Sequence, residues 1–186
     1  LVEAFPVNRS FPKSSVCVMN GLLAGEESVY SEYDLVPTLN DLGQIALWKK
    51  HSLNNNAPKA NLQFDTGMAR LGLMPTELEK LCSNLEKLDG IDLQYIMSHM
   101  ACADDPSHPL NKKQQKDFSA AIKRLPKVPA MLAASSAVFL GPEWHFDMVR
   151  PGVALYGGAP NEQIQNPLSQ VVRLEGKVMQ VREVTE

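Results

Sequence analysis

The sequence predicts an α/β protein: part of a (β/α)8 TIM-type barrel that leads into the start of an all-β domain. Short apolar segments alternate with amphipathic segments over the first 160 residues, and this alternation then stops. Nearly all-apolar strands separated by helices are typical of a parallel sheet covered by helices. A closed barrel needs eight strands and about 250 residues. Because the 186 residues offer six strand candidates, we expect a partial barrel within a longer protein.

The strand candidates are runs rich in β-branched and apolar residues that end at turn residues. The first stops at Asn20 and Gly21, and the last is interrupted by Pro151 and Gly152. The six candidates cover residues 15–19, 35–39, 62–64, 93–97, 130–134 and 148–156.

Four helices are expected between these strands, because apolar residues recur there at helical spacing. Asn40 is the expected cap of the second helix, and a capping box of Thr76 and Glu79 is expected to open the third, which Gly90 ends. Pro126 stops the fourth helix. The predicted helices cover residues 26–33, 40–50, 76–88 and 112–125.

The pattern changes after residue 160. Residues 161–167 are polar and are typical of a linker, whereas 171–174 and 178–182 resemble strands with no helix between them. We therefore predict two units: a partial barrel over residues 1–160, and a linker with the start of a C-terminal β domain over 161–186.

Composition favours a small-molecule partner. A formal charge of −3 without long runs of like charge argues against nucleic acid, and no apolar run is long enough to span a membrane. Three cysteines without C-x-x-C spacing suggest neither a disulfide framework nor a zinc site, which favours a reducing cytoplasm. Asp104, Asp105 and His108 are interpreted as a turn around two prolines, so no metal site is predicted.

Two segments after late strands have the composition of a phosphate site. Ser135 and Ser136 offer hydroxyl groups among small residues, and Arg150 precedes a turn in which Gly152 and Val153 have free N–H groups. Serine pairs and Pro-Gly are also ordinary turn residues, so this segment alone allows a purely structural interpretation.

Two further polar residues follow strands earlier in the chain. His99 follows residues 93–97, and Arg70 follows a glycine after residues 62–64. A lone histidine in such a place is commonly a hydrogen-bonded core residue. Together with Ser136 and Arg150, however, these residues come from four successive strand ends, which a closed barrel directs toward one cavity.

Four motifs occur in order along the chain: DTGMARLG at 65–72, SHMACADD at 98–105, SSA at 135–137 and VRPGVALYG at 149–157. Together they resemble the motifs of bacterial alanine racemase. The resemblance implies a fold type III pyridoxal 5′-phosphate (PLP) enzyme that interconverts L- and D-alanine for peptidoglycan. It also implies that the chain begins at about the third of eight barrel strands, and that the full-length protein is a homodimer with shared active sites.

The resemblance assigns cofactor-binding roles to six residues, one of which, His99, also has a catalytic-site role. Ser136 and the N–H groups of Gly152 and Val153 would bind the phosphate, with Ser135 replacing a frequent asparagine beside them. Arg150 would donate to the pyridine nitrogen, which stays unprotonated because a guanidinium cannot readily exchange its proton.

The resemblance also assigns two catalytic-site roles. His99 would hydrogen-bond Arg150, and Arg70 would lie near the substrate carboxylate and orient a catalytic tyrosine. Some family members have a carbamylated lysine where this chain has Gln63, whose neutral amide could hydrogen-bond Arg70 but would not balance its charge.

The two proton-transferring groups of the family are not recognised in the chain. Lys59 is interpreted as a surface lysine, and the Schiff-base lysine and the tyrosine are expected upstream and downstream of these residues. Two alternatives to alanine racemase remain: a PLP-dependent racemase of serine or lysine, and a non-catalytic PLP-binding barrel. The strand-like segment 171–186 argues against the second, because single-domain barrel binders have no β domain.

Overall fold

The computed structural model describes residues 4–10, 13–53 and 58–184, which contain five strands and the helices between them. The elements are α1 (Ala4–Ser10), β1 (Val16–Val18), α2 (Glu27–Glu32), β2 (Leu35–Leu39), α3 (Leu42–Ser52), β3 (Lys59–Gln63), α4 (Pro75–Cys82), β4 (Asp92–Met97), α5 (Pro109–Ile122), β5 (Ala130–Met131) and α6 (Ser135–Val138). Short 3-10 helices span Leu85–Leu88, Pro142–Trp144 and Val153–Tyr156.

The strands form one sheet in the order β1-β2-β3-β4-β5, and each neighbouring pair is parallel. Sequential strand order with parallel pairing is the arrangement of a (β/α)8 barrel. The expected partial barrel is therefore confirmed, and the first five strand predictions correspond to β1 to β5 with shifted ends.

The sheet has two different faces because side chains alternate along each strand. Leu39, Leu62 and Ile96 are paired on three neighbouring strands, and all three belong to the hydrophobic core formed with the helices. The opposite face carries a second buried row outside this core: Gln63, Met97 and Met131.

Helix α3 is capped by Asp41, so the cap predicted at Asn40 is wrong. The Asp41 carboxylate accepts a hydrogen bond of 2.8 Å from the backbone N–H of Gln44. The Asn40 amide, which is 5 % exposed, donates instead to the carbonyl groups of Thr38 and Met19. Because the Asn40 side chain is buried beside β2 and hydrogen-bonded there, it does not cap the helix.

Helix α4 also begins differently, and the capping box of Thr76 and Glu79 is wrong. Pro75 is the first helical residue, where the missing proline N–H costs nothing. The Glu77 carboxylate accepts from the backbone N–H of Met74, the actual N-cap residue. The helix ends after eight residues, and the rest of the expected helix is a separate 3-10 turn.

The end of the chain lacks the strands that the sequence predicts. No helix or strand occurs in the described residues 159–184, and the candidate at 148–156 supplies only an isolated parallel bridge between Arg150 and Ala134. The strands expected at 171–174 and 178–182 are therefore absent here, and Leu174 is 97 % exposed. A strand needs a neighbour for its backbone hydrogen bonds, and no described strand lies beside this segment. The C-terminal β domain stays a prediction.

Candidate functional site

A cavity of about 650 Å³ opens at the carboxyl ends of β4 and β5. This volume lies within the range of about 300–1,000 Å³ that is common for small-molecule sites. The structure brings six of the predicted site residues together in its lining: His99, Ser135, Ser136, Arg150, Gly152 and Val153. Arg70, the seventh, does not line this cavity.

Arg150 is held by main-chain carbonyl groups. Its guanidinium donates to the carbonyl oxygen of Ser98 at 2.7 Å and to that of Met131 at 3.1 Å. Burial lowers the Arg150 pKa to about 10, so the group remains charged at neutral pH. Within the described ranges, no carboxylate forms an ion pair with Arg150 and its Nε has no hydrogen-bond partner. A half-buried cation without a described counter-ion favours an anionic or electron-rich ligand.

His99 follows β4 and shares the cavity with Arg150. Its pKa is lowered below 6.5, first by burial and then by the positive charges of Arg150 and Arg70, so the imidazole is neutral at pH 7. The expected hydrogen bond between His99 and Arg150 is not formed among the described residues. The guanidinium instead uses two of its nitrogens for carbonyl groups at the strand ends.

Arg70 lies in a loop that the Asp65 carboxylate organises. The Asp65 oxygens accept hydrogen bonds from the backbone N–H groups of Gly67, Met68 and Ala69. Arg70 itself is exposed, yet close enough to His99 to influence the imidazole electrostatically. The carboxylate therefore fixes the backbone immediately before the cation.

The same loop returns tightly to the end of β3. The Leu73 N–H donates to the Gln63 carbonyl at 2.9 Å, and the Gln63 side-chain amide donates to the Leu71 carbonyl at 3.2 Å. At Gly72, which has φ +107°, an added Cβ would lie 2.8 Å from the Phe64 carbonyl carbon. Glycine is required here by both conformation and space, and the Gln63 amide supports the loop rather than Arg70 directly.

Ser135 and Ser136 have different surroundings. Ser135 is 6 % exposed, and its hydroxyl accepts hydrogen bonds from the N–H groups of Gly152 at 2.8 Å and Ala154 at 3.2 Å. The Gly152 N–H, which the sequence reasoning assigned to a phosphate, is thus engaged within the protein. The Ser136 hydroxyl and the Val153 N–H have no hydrogen-bond partner in the described part of the chain, and both residues line the cavity.

Comparison with known proteins identifies the family. A sequence profile described as alanine racemase, N-terminal domain, matches residues 1–160. The chain belongs to the alanine racemase family. The family resemblance predicted from the four motifs is therefore confirmed.

Named relatives agree with this membership. The chain is 46 % identical over 169 residues to alanine racemase from Rhodospirillum rubrum, covering 90 % of this chain and 45 % of that protein. It is 43 % identical over 173 residues to a catabolic alanine racemase from Agrobacterium fabrum, covering 92 % and 45 %. The chain spans about half the length of the curated alanine racemases it matches.

Solved alanine racemase structures share the fold. The crystal structure of the Bartonella henselae enzyme with covalently bound pyridoxal phosphate has a TM-score of 0.87 and 34 % identity, over 91 % of this chain and 50 % of that one. The biosynthetic alanine racemase of Pseudomonas aeruginosa has a TM-score of 0.78 and 29 % identity, over 89 % and 46 %.

Three residues that shape this site receive no role from the sequence: Asp65 and Thr66, which are included only as part of the motif at 65–72, and Gln114. An aspartate two residues before a glycine is typical of a side-chain-capped turn, and this signal could have identified Asp65. No such signal marks Gln114, because only the fold reveals that this polar helical residue is 0 % exposed.

Within residues 4–10, 13–53 and 58–184, no group of three or more metal-ligating side chains occurs, and no helix is long and apolar enough to cross a membrane.

Proposed function

We propose that the full-length gene product is a PLP-dependent alanine racemase that interconverts L- and D-alanine. Family membership supports the reaction class. The observation that carries the proposal is the convergence of Arg150, His99 and Ser136 on one cavity, with the half-buried guanidinium lacking a carboxylate partner among the described residues. A planar, anionic heteroaromatic ligand complements this combination of charge and donors.

The donors present fit PLP. The Ser136 hydroxyl and the Val153 N–H offer two unused donors for a phosphate at one side of the cavity. Arg150 offers its unused Nε–H for the pyridine nitrogen. The Gly152 N–H would contribute only if the Ser135 hydroxyl released it, so we assign Ser135 and Gly152 to the support of the phosphate loop.

When bound, PLP supplies an electron-withdrawing ring that acidifies the Cα proton of an attached amino acid. The role of Arg150 is to keep the ring nitrogen unprotonated, because a guanidinium with a pKa of about 10 donates a hydrogen bond without giving up its proton at neutral pH. Neutral His99 adds no further positive charge beside Arg150. We assign Arg70 to the orientation of the substrate carboxylate.

The proposal extends to the setting of the enzyme. We infer a cytoplasmic homodimer with shared active sites that supplies D-alanine for peptidoglycan, with the Schiff-base lysine and the catalytic tyrosine outside residues 1–186. Three free cysteines agree with a reducing compartment, and a net charge of −3 agrees with a small-molecule partner rather than nucleic acid. Deletion of the gene in a strain without another alanine racemase is expected to make growth dependent on added D-alanine.

The decisive experiment measures D-alanine formation from L-alanine by the full-length gene product loaded with PLP. We expect turnover of alanine, loss of turnover in Arg150→Met, and retention in Arg124→Met, an exposed arginine paired with Glu79. Turnover of serine or lysine without alanine would assign a different racemase. PLP binding without turnover of any of the three would identify a non-catalytic binder.

A further inference from the structure

Gln114, near the middle of α5, is completely buried and makes three hydrogen bonds at the ends of two strands. Its Nε2 donates to the His99 carbonyl at 2.9 Å and to the Thr66 hydroxyl at 3.0 Å. Its Oε1 accepts from the Ala101 N–H at 2.9 Å. Full burial of an amide requires such compensation.

The two main-chain partners fix the orientation of the amide. A carbonyl oxygen can only accept and a backbone N–H can only donate, so Nε2 must face His99 and Oε1 must face Ala101. The side chain cannot rotate by 180° without two unfavourable contacts. Gln114 therefore fixes the path of the His99–Ala101 segment with an amide that has only one acceptable arrangement.

A second set of contacts connects this amide to Arg150. The Thr66 hydroxyl lies 2.8 Å from the Ser98 hydroxyl, and both residues are buried. The Ser98 carbonyl accepts the 2.7 Å hydrogen bond from Arg150. The end of β3, the end of β4 and the guanidinium thus share one buried polar network, with Gln114 as its helical member.

We propose that Gln114 is a positioning residue of the cavity, which sets the place of the His99 imidazole relative to Arg150 and thereby the affinity for PLP. The choice of ligand rests on the proposed function, whereas the positioning of His99 does not. Gln114 does not line the cavity, so it acts through the His99–Ala101 segment and through Thr66.

The test is Gln114→Met in the full-length gene product, since methionine has a similar length, no charge and no amide. The matched control is Gln115→Met, the next residue of α5, whose amide donates to the Glu143 carbonyl near the surface. NMR titration of the apo protein, with the signal assigned by its loss in His99→Gln, gives the His99 pKa. Absorbance titration gives the PLP dissociation constant.

We expect Gln114→Met to raise the His99 pKa toward 6.5, because the released His99–Ala101 segment moves the imidazole toward water and away from the two arginines. We also expect the dissociation constant for PLP to rise about tenfold. The control should change neither value. A role in folding stability alone would lower the unfolding midpoint while leaving both values of the folded protein unchanged, and that result overturns the proposal.

Two further outcomes are informative. A raised His99 pKa with unchanged PLP affinity in Gln114→Met also overturns the proposal. If the unmutated protein does not bind PLP, that result counts against the proposed function, and the His99 titration alone then decides whether Gln114 positions the imidazole. Should Gln114→Met fail to fold, Thr66→Val decides the matter, since it removes only the hydroxyl contacts to Gln114 and Ser98. For Thr66→Val we expect changes in the His99 pKa and in the PLP dissociation constant that have the same direction but are smaller. If neither value changes, the proposal is contradicted.

Discussion

Replacement of Arg150 by methionine separates the role of this residue in ligand binding from its role in stability. The side chain is partly enclosed, and its two short hydrogen bonds go to the carbonyl groups of Ser98 and Met131. Methionine fills a similar volume but leaves both carbonyl groups without their charged donor. It also removes a cation from a site where no described carboxylate compensates it.

Two opposing contributions determine the change in stability. Loss of two hydrogen bonds from a charged donor costs about 4 kcal/mol, at about 1.5–3 kcal/mol each. Burial lowers the Arg150 pKa from its ordinary value to about 10, which means that burial of the charge costs about 3 kcal/mol at neutral pH, and methionine relieves this cost. The free energy of unfolding of the apo protein should therefore fall by only about 1 kcal/mol.

Urea unfolding followed by circular dichroism measures the apo stability, and absorbance titration measures PLP binding. We expect near-normal stability together with a loss of PLP affinity of at least a hundredfold, equivalent to about 3 kcal/mol. Arg124→Met, at the exposed pair with Glu79, should leave PLP affinity unchanged. A variant that binds PLP as tightly as the unmutated protein, or that loses most of its stability, would refute the reasoning.

Three further predictions test other parts of the site. Ser136→Ala should weaken PLP binding about tenfold but leave binding of pyridoxal, which has no phosphate, unchanged; equal weakening of both ligands would remove Ser136 from the phosphate site. Because the folded-state pKa of His99 lies below 6.5, the unfolded chain takes up this proton first, so unfolding free energy should decrease as pH falls below about 6.5. His99→Gln should reduce that slope in urea titrations at several pH values, and an unchanged slope would contradict it. Gly72→Ala should cost about 2 kcal/mol or more in urea unfolding, because it combines φ +107° with a 2.8 Å contact to Phe64; a loss below about 0.5 kcal/mol would show that the loop relaxes easily.

The sequence predicts the strands well because the relevant signal is local. Residues 35–39 are recognised from a short apolar run despite Pro37, and the structure has β2 at Leu35–Leu39. The strands predicted after residue 170 have the same kind of local pattern but are not formed. An apolar pattern indicates that a segment is suited to be a strand, whereas the strand forms only when another strand lies beside it to pair with.

Helix ends are predicted less well because several side chains compete for the same backbone groups. Asn40 and Asp41 are both good capping residues, and the sequence does not say which one the fold needs for another task. Burial decides: Asn40 bonds Thr38 and Met19, which leaves the cap to Asp41. Similarly, α1 was not predicted at all, since its seven residues include an internal proline that disfavours helix on propensity alone.

At the candidate site, too, the sequence predicts which residues come together but not which groups they hydrogen-bond. Motifs and strand ends were sufficient to bring His99, Ser136 and Arg150 to one cavity, yet the partner expected for Arg150 was a side chain and the observed partners are carbonyl groups. Every residue has a carbonyl group, so sequence alone cannot indicate which carbonyl groups a guanidinium will reach at the strand ends. In this site backbone carbonyl groups at the strand ends hold the guanidinium directly, so its position depends on the path of the backbone there. Substitutions that alter the path of the backbone after β4 should therefore displace the Arg150 guanidinium. Exchanges between neutral residues elsewhere in the cavity lining should displace it less.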